Sequence, residues 1–337
     1  VFADRLRLRQ LLVDGIVRRE PSQAKECVHV ANGIPRRPFG KTGEEVSLLG
    51  VGGAHIGFSE DPSVGIRIIQ EAIDAGANFM DNAWEYNSGG SEIRMGQALA
   101  QDGYRQKAFL MTKDCAHDRK AKHSMLKLEQ SLKRLKTDYL DLWQLHEVVW
   151  ADDPDWIFAP GGSAEALIKA KEEGKVRYIG FTGHKHPDIF KRMLSHDFPF
   201  DSVMMPLNVL DAHYRSFEKE ILPICQERGI AVIGMKSFAS GDIVTGGLGI
   251  SPSEALRYAM SLPVATVVSG MDSLEVLREN IATATDFKPL TAEERTALLA
   301  KSAPAAKDGA MERFKTTRVF EANEGRLAHD YPFLPAP

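Results

Sequence analysis

Ser131-Leu132-Lys133-Arg134-Leu135-Lys136-Thr137-Asp138-Tyr139-Leu140-Asp141-Leu142-Trp143-Gln144-Leu145-His146 holds one complete passage from helix to strand. Leu132 and Leu135 continue a series begun at Met125 and Leu128, with the three-to-four step of an amphipathic helix. Tyr139-Leu140-Asp141-Leu142-Trp143 then reads as a short strand, and the ionisable His146 follows it.

The same passage recurs in both directions along the chain. Short apolar strands precede it at Leu48-Leu49-Gly50-Val51, Ala77-Asn78-Phe79-Met80 and Ala108-Phe109-Leu110-Met111. Others follow at Val176-Arg177-Tyr178-Ile179-Gly180, Ser202-Val203-Met204-Met205, Ile230-Ala231-Val232-Ile233 and Ala265-Thr266-Val267-Val268. Between them lie longer segments with helical spacing, such as Ile66, Ile69 and Ile73. Ser163 and Ser253 read as helix N-terminal residues, and Gly76, Gly174 and Gly229 sit where helices should stop. Eight strands alternating with helices over roughly 230 residues predict a (β/α)8 barrel. The rival is a doubly wound sheet, which needs a Gly-x-Gly-x-x-Gly turn after its first strand. Gly50-Val51-Gly52-Gly53-Ala54 is glycine-rich but lacks that spacing, so the barrel is preferred. Arg37 to Val46 reads as a turn between two short strands. The expected organisation is an N-terminal arm over 1–33, the barrel over 34–288, and a C-terminal extension over 289–337 with a helix from Ala292 to Ala300.

Composition bounds the partners. The 337 residues carry 43% hydrophobic side chains, enough for a large core, and a net charge of −4, which argues against a nucleic-acid partner. No apolar run approaches the roughly 20 residues a membrane helix needs. Cys27, Cys115 and Cys225 are odd in number and far apart, so neither a zinc motif nor a disulfide framework is expected. Free thiols point to a reducing, cytoplasmic setting. The first thirty residues mix Arg5, Arg7, Arg9, Arg18 and Arg19 with Leu6, Leu8, Leu11, Leu12 and Val13, without the apolar core of an export signal. A removed upstream signal stays open. An oligomer contact through residues 1–33 and packing of the arm on its own barrel are equal readings.

In a barrel, the C-terminal ends of the strands share one face, where the site lies. Asp81 follows the second strand, Lys113 ends the third, His146 follows the fourth, and Tyr86 lies on the loop after Asp81. A free tyrosine, with a pKa of about 10, is a poor acid at neutral pH. A nearby ammonium is expected to favour the phenolate and lower that value. Taken singly, each of these residues is as readily a cap, a turn or a packing residue. The ordered set of four is the informative feature.

This set, with Ser131 to His146, resembles the aldo-keto reductases, from about Pro35 to about Asn280. The resemblance implies Tyr86 as proton donor, Lys113 and Asp81 as its tuners, and His146 as the orienting residue for an aldehyde or ketone. It implies NADP(H) across the barrel mouth as the hydride source. Gly52, Gly53 and Ala54 after strand one would line the cofactor's path. Ser269, Gly270, Met271 and Asp272 after strand eight open a helix whose N–H groups suit a phosphate. Lys236, Ser237, Phe238 and Gly241 after strand seven would cover the pyrophosphate, and Glu279 and Asn280 the adenine. Many relatives carry Arg or Lys where this chain has Asp272, which would repel the 2′-phosphate of NADPH and so admits NAD(H). Thr182 and His184 stand where relatives hold the nicotinamide amide with Ser-Asn, and Met204 where they often have Gln. Phe181-Thr182-Gly183-His184 resembles a branch described as iron–sulfur oxidoreductases, but the tail is not cysteine-rich, so neither a cluster nor a metal is expected. His55, Trp84 and Trp150 are the expected substrate walls, with Ile56, Phe58, Trp156 and Phe158 beside them. The acidic, aromatic insertion from Val148 to Trp156 reads equally as a lid or a packed loop. Two rivals remain: a dinucleotide-binding barrel acting as a sensor, and a lyase or isomerase using Lys113 as a Schiff-base amine.

Overall fold

A computed structural model describes residues 33–332. The expected arm over 1–33 therefore lies almost wholly outside the described residues, as does any oligomer contact through it. The ten strands are β1 (Arg36–Pro38), β2 (Glu45–Ser47), β3 (Leu49–Gly52), β4 (Phe79–Met80), β5 (Phe109–Lys113), β6 (Leu140–Leu145), β7 (Val176–Thr182), β8 (Ser202–Pro206), β9 (Ala231–Met235) and β10 (Thr266–Gly270). β3 to β10 pair in parallel and close on themselves through β10 and β3, with Val267 beside Leu49. The (β/α)8 barrel is thus the fold, and all eight sequence-expected strands are present. Except for β4, which ends at Met80 as expected, they run one to two residues further along the chain than hydropathy alone suggests; the last residues of β5 and β7, for example, are the polar Lys113 and Thr182.

Helices cover the barrel as their periodicity requires. Ala121–Leu135 buries Leu128, Leu132 and Leu135 and turns its lysines outward. Pro62–Asp74 buries Ile68, Ile69, Ala72 and Ile73 and turns Arg67 outward. Gly76, Gly174 and Gly229 end helices with φ of 101°, 70° and 67°, a left-handed turn that favours glycine. Ser163 opens its helix, but Gly162 is the cap. For Pro252–Ser261 the cap is Ser251, not Ser253, because the reciprocal bonds of a capping box need Glu254 three residues on. The helix expected over Ala292 to Ala300 continues to Ala306 and carries Pro304 within it.

The β1–β2 hairpin stoppers the N-terminal end of the barrel. Phe39 inserts among Phe79 and Phe109, with ring centroids 6.2 and 4.9 Å away, and Phe79 stacks on Phe109 at 5.5 Å. Arg37 donates to the carbonyls of Leu262 and Val264, both at 3.0 Å, and pins the hairpin there. Above this plug the barrel interior is filled by Met111, Leu142, Met204 and Ile233. The interior is solid, so any chemistry must take place at the opposite end.

Candidate active site

β4 and β5 place Asp81 and Lys113 side by side at the C-terminal end of the barrel, and both are buried. The Lys113 ammonium donates to the Asp81 carboxylate, to the Asn82 carbonyl at 2.8 Å and to the Tyr86 hydroxyl at 3.3 Å. Three acceptors engage all three of its hydrogens. Since Tyr86 Oη accepts from Lys113, the phenol's own proton is directed away from the lysine. The turn Tyr86–Gly89 that presents the phenol holds Asn87 and Ser88 at φ of 53° and 56°, in the left-handed region.

One expectation needs correcting. Lys113 does touch Tyr86, yet the phenol's pKa is raised well above its ordinary value. Burial is the largest cause, and the carboxylates of Asp81, Glu147 and Glu85 add to it. Burial dominates, and Asp81, which sits on the same ammonium, offsets the field of Lys113 at the phenol. In this state Tyr86 holds its proton firmly.

His146, immediately after β6, lies edge-on to the Tyr86 ring, with centroids 5.5 Å apart. Its Nδ1 contacts the Glu85 carboxylate, so Nε2 is the ring atom left for a ligand. Glu85 also faces His117 at 3.3 Å and accepts from the Ala116 N–H at 3.3 Å. Burial pushes the Glu85 carboxyl up, but His146 and His117 outweigh it and hold it below the usual range. Sequence reasoning missed Glu85. Its position between Trp84 and Tyr86 was visible, but its reach to two histidines on other strands was not. These groups line a cavity of about 770 Å³, together with Ala54, Thr182, His184, Met235 and Lys236.

The remaining predicted cofactor residues divide. Gly52 and Gly53 end β3 where a Cβ on Gly53 would come within 2.4 Å of the Asp81 carbonyl, so only glycine allows the approach. Gly270 is similarly covered by the His55 ring, 2.2 Å from where its Cβ would be. Ser269 accepts from Asn280 at 3.2 Å, and both are buried. Met271 is buried, and Asp272 and Glu279 are exposed. Ser273 caps the twelve-residue helix Leu274–Thr285. Lys236 follows β9 at φ 56° under the rings of Phe314 and Phe320, beside a buried Ser237 hydroxyl that has no hydrogen-bond partner among the described residues. Phe238 packs on the core, and Gly241 turns at φ 102°. His184 is buried, with Nδ1 3.3 Å from the Phe314 carbonyl and Nε2 without a hydrogen bond among the described residues, 3.8 Å from Glu147. Met204 points into the solid barrel interior, and Met235 lines the cavity instead.

The predicted substrate walls mostly lie elsewhere. His55 lies over Gly270. Trp84 turns outward, donates to Gln130 at 2.8 Å and stacks under Arg134. Trp150 is buried under the Arg326 guanidinium at 4.5 Å and donates to the Glu321 carbonyl at 3.1 Å. Phe158 stacks on His196 at 3.8 Å, in the outer layer. The Val148–Trp156 insertion is a seat for the C-terminal tail. Asp153 takes Arg119 at 3.1 Å, Asp152 takes Arg326, and Tyr331 accepts from the Arg119 N–H at 2.9 Å. Held this way, Arg318, Phe320 and Glu321 to Gly325 wall the cavity, a contribution no local pattern announces.

The sequence model of the Aldo/keto reductase family matches residues 48–249. The chain is 30% identical over 219 residues to "Aldo-keto reductase YhdN" of Bacillus subtilis (strain 168), covering 61% of this chain and 62% of that protein. It is 26% identical over 306 residues to "L-galactose dehydrogenase" of Arabidopsis thaliana, covering 78% of this chain and 92% of the other. Among solved structures, aldo-keto reductase AKR11C1 from Bacillus halodurans in its holo form superposes with a TM-score of 0.68 at 28% identity, covering 83% of this chain and 99% of that one.

Proposed function

Because the chain belongs to the aldo/keto reductase family, and so to the NAD(P)H-dependent oxidoreductases, we propose that it reduces an aldehyde or ketone to an alcohol with Tyr86 as proton donor. The observation that supports this reading best is the bonding around the phenol. Lys113 occupies one side of Tyr86 Oη, and the proton on the other side is available to a carbonyl oxygen. His146 would orient that oxygen through Nε2, with Glu85 fixing the ring from Nδ1. Burial and three carboxylates keep the phenol protonated until a partner arrives. The Schiff-base alternative for Lys113 is disfavoured, since its nitrogen is fully engaged as a donor and offers no lone pair.

The residues present fit a nicotinamide dinucleotide. The Ser237 hydroxyl, which has no hydrogen-bond partner among the described residues, the Lys236 ammonium and the N-terminus of Leu274–Thr285 would form an anion-binding strip. Thr182 and His184 would hold the amide at the inner end, and the buried His184 Nε2, which makes no hydrogen bond among the described residues, is suited to it. When bound, the dinucleotide supplies the hydride that no side chain can. Asp272 at the strip's outer end would disfavour a 2′-phosphate and admit NADH. Met204, buried away from the mouth, withdraws one expected amide contact and favours a second reading, a barrel that binds the dinucleotide without turnover. The free, buried thiols Cys115 and Cys225 suit a cytoplasmic site of action.

Fluorescence titration with NADPH and NADH separately, followed by a panel of aldehydes, tests both readings. Cofactor oxidation supports the reductase, whereas binding without oxidation across the panel supports the sensor. Tyr86→Phe should lower kcat by roughly 10²–10⁴-fold while dinucleotide affinity stays within about twofold. Unchanged turnover would remove Tyr86 from the chemistry.

A further inference from the structure

The loops after β4 and β5 bring together three metal-ligating side chains that carbonyl reduction does not need as a group. They are Glu85, Cys115 and His117, whose ligand atoms all lie within 4.8 Å of one another. Cys115 Sγ is 2.6 Å from His117 Nδ1, and His117 Nε2 is 3.3 Å from the Glu85 carboxylate. Cys115 is fully buried, whereas Glu85 and His117 also line the cavity, which gives an ion a route in. Tail residue Gly325 lies over the His117 ring, where an added Cβ would be 2.2 Å away.

We infer that Glu85, Cys115 and His117 form a binding site for a thiophilic divalent cation of the zinc class. One thiolate, one neutral imidazole and one carboxylate neutralise a dication and supply the mixed soft and borderline donors that zinc selects over magnesium or calcium. Three protein ligands leave a fourth position, which opens on the cavity. Binding requires modest opening. Sulfur and nitrogen on one tetrahedral zinc stand about 3.5 Å apart, so the His117 ring must move back from Cys115 as the ion enters. Metal binding releases the proton of the Cys115 thiol to solvent, as coordination does to thiols generally. Lys127 stands nearby but is engaged by Asp118 at 3.2 Å.

Glu85 couples this site to the reaction. The carboxylate that would take the ion is the one that contacts His146 Nδ1. Occupancy therefore withdraws the group that fixes His146. This consequence rests on the carbonyl-reductase reading, whereas the site itself does not.

The test titrates the reduced, full-length protein with Co2+ and records near-ultraviolet and visible absorption, then displaces cobalt with Zn2+. The expected result is a thiolate-to-cobalt charge-transfer band saturating at one equivalent. Cys115→Ser should abolish the band, and His117→Ala should weaken binding at least tenfold. His117→Ala changes a partly exposed residue, so the test survives even if Cys115→Ser fails to fold. Absence of a band in the parent protein, or a band unchanged in the folded variants, would overturn the site. Visible cobalt absorption without a thiolate band, lost in His123→Ala, would overturn it too, by placing the ion at the neighbouring Asp118–His123–His329 group. With the site confirmed, Zn2+ should inhibit aldehyde turnover in the parent and not in Cys115→Ser. Equal activity with and without zinc would overturn the coupling through Glu85 while leaving the absorption result standing.

Discussion

The two ends of the barrel are built from the same eight strands and solve opposite problems. At the N-terminal end, Phe39, Phe79 and Phe109 close the barrel with an apolar plug. The turns there take left-handed backbone with Gly40, Gly76, Gly174 and Gly229, and among the described residues only Asp102 and Lys136 do so there with a side chain. At the C-terminal end, Asp81, Lys113, His146 and Glu147 stand where the plug would be. Asn87, Ser88, Glu147, Lys236, Ala239 and Ser240 all hold positive φ without being glycine. Glycine relaxes a turn but carries no side chain. The stabilising end is free to use it, whereas at the mouth Glu147 and Lys236 keep their charged groups and the fold sustains the strain.

The contrast can be broken most forcefully from below. Phe39→Ala should cost about 3–5 kcal/mol of stability, read by denaturant unfolding, while kcat per folded molecule stays unchanged. A matching loss of kcat would show that the two ends are not separable. At the mouth, Asp272→Arg should shift preference towards NADPH by about tenfold, or about 1.4 kcal/mol. A fixed NADPH-to-NADH ratio would remove Asp272 from the phosphate end of the strip.

The tail's seat sharpens the comparison through pH. Lys315, fully buried, bonds Asp211 at 2.6 Å and stands 2.8 Å from Glu312. Burial raises the Glu312 carboxyl to about 7, against the pull of Lys315. An acid whose folded pKa exceeds its unfolded value binds more protons when folded. Its contribution to stability is therefore present below about 4.5 and declines as pH rises to about 7. Glu312→Gln should flatten that part of the pH profile of Tm, and an unaltered profile would acquit this group. The smallest effect is expected at Lys136→Gly, which relieves a left-handed C-cap at φ 52°. A gain of roughly 0.5–1 kcal/mol with unchanged kinetics would confirm that the lower end tolerates relaxation.

Much of this was legible in the chain because barrel units are local. The series Met125, Leu128, Leu132, Leu135 followed by Leu140 to Leu145 needs no distant information to read as helix then strand. The placement of Asp81, Lys113 and His146 at one face follows once parallel order is assumed, since each ends or follows a strand. Other features were not legible. Trp84 and Trp150 looked like substrate walls because aromatic loop residues suit either role, and the structure turns one onto a helix and the other under the tail. Met204 faces the interior because side chains alternate along β8, and the phase of that alternation depends on barrel register. The raised phenol of Tyr86 reflects its burial first, and then the charges of three other residues.

The sequence by itself determined the strand–helix alternation, the parallel barrel it implies and the order of ionisable residues along the strand ends. Each of these depends on periodicity within one unit of the repeat. Only the tertiary structure decided that Glu85 joins His146 to His117, that the tail walls the cavity through Asp152 and Asp153, and that Asp81 offsets Lys113 at the phenol. Those outcomes depend on distances between residues some thirty to almost two hundred positions apart. Burial strengthens the charges among them, and no local pattern encodes it.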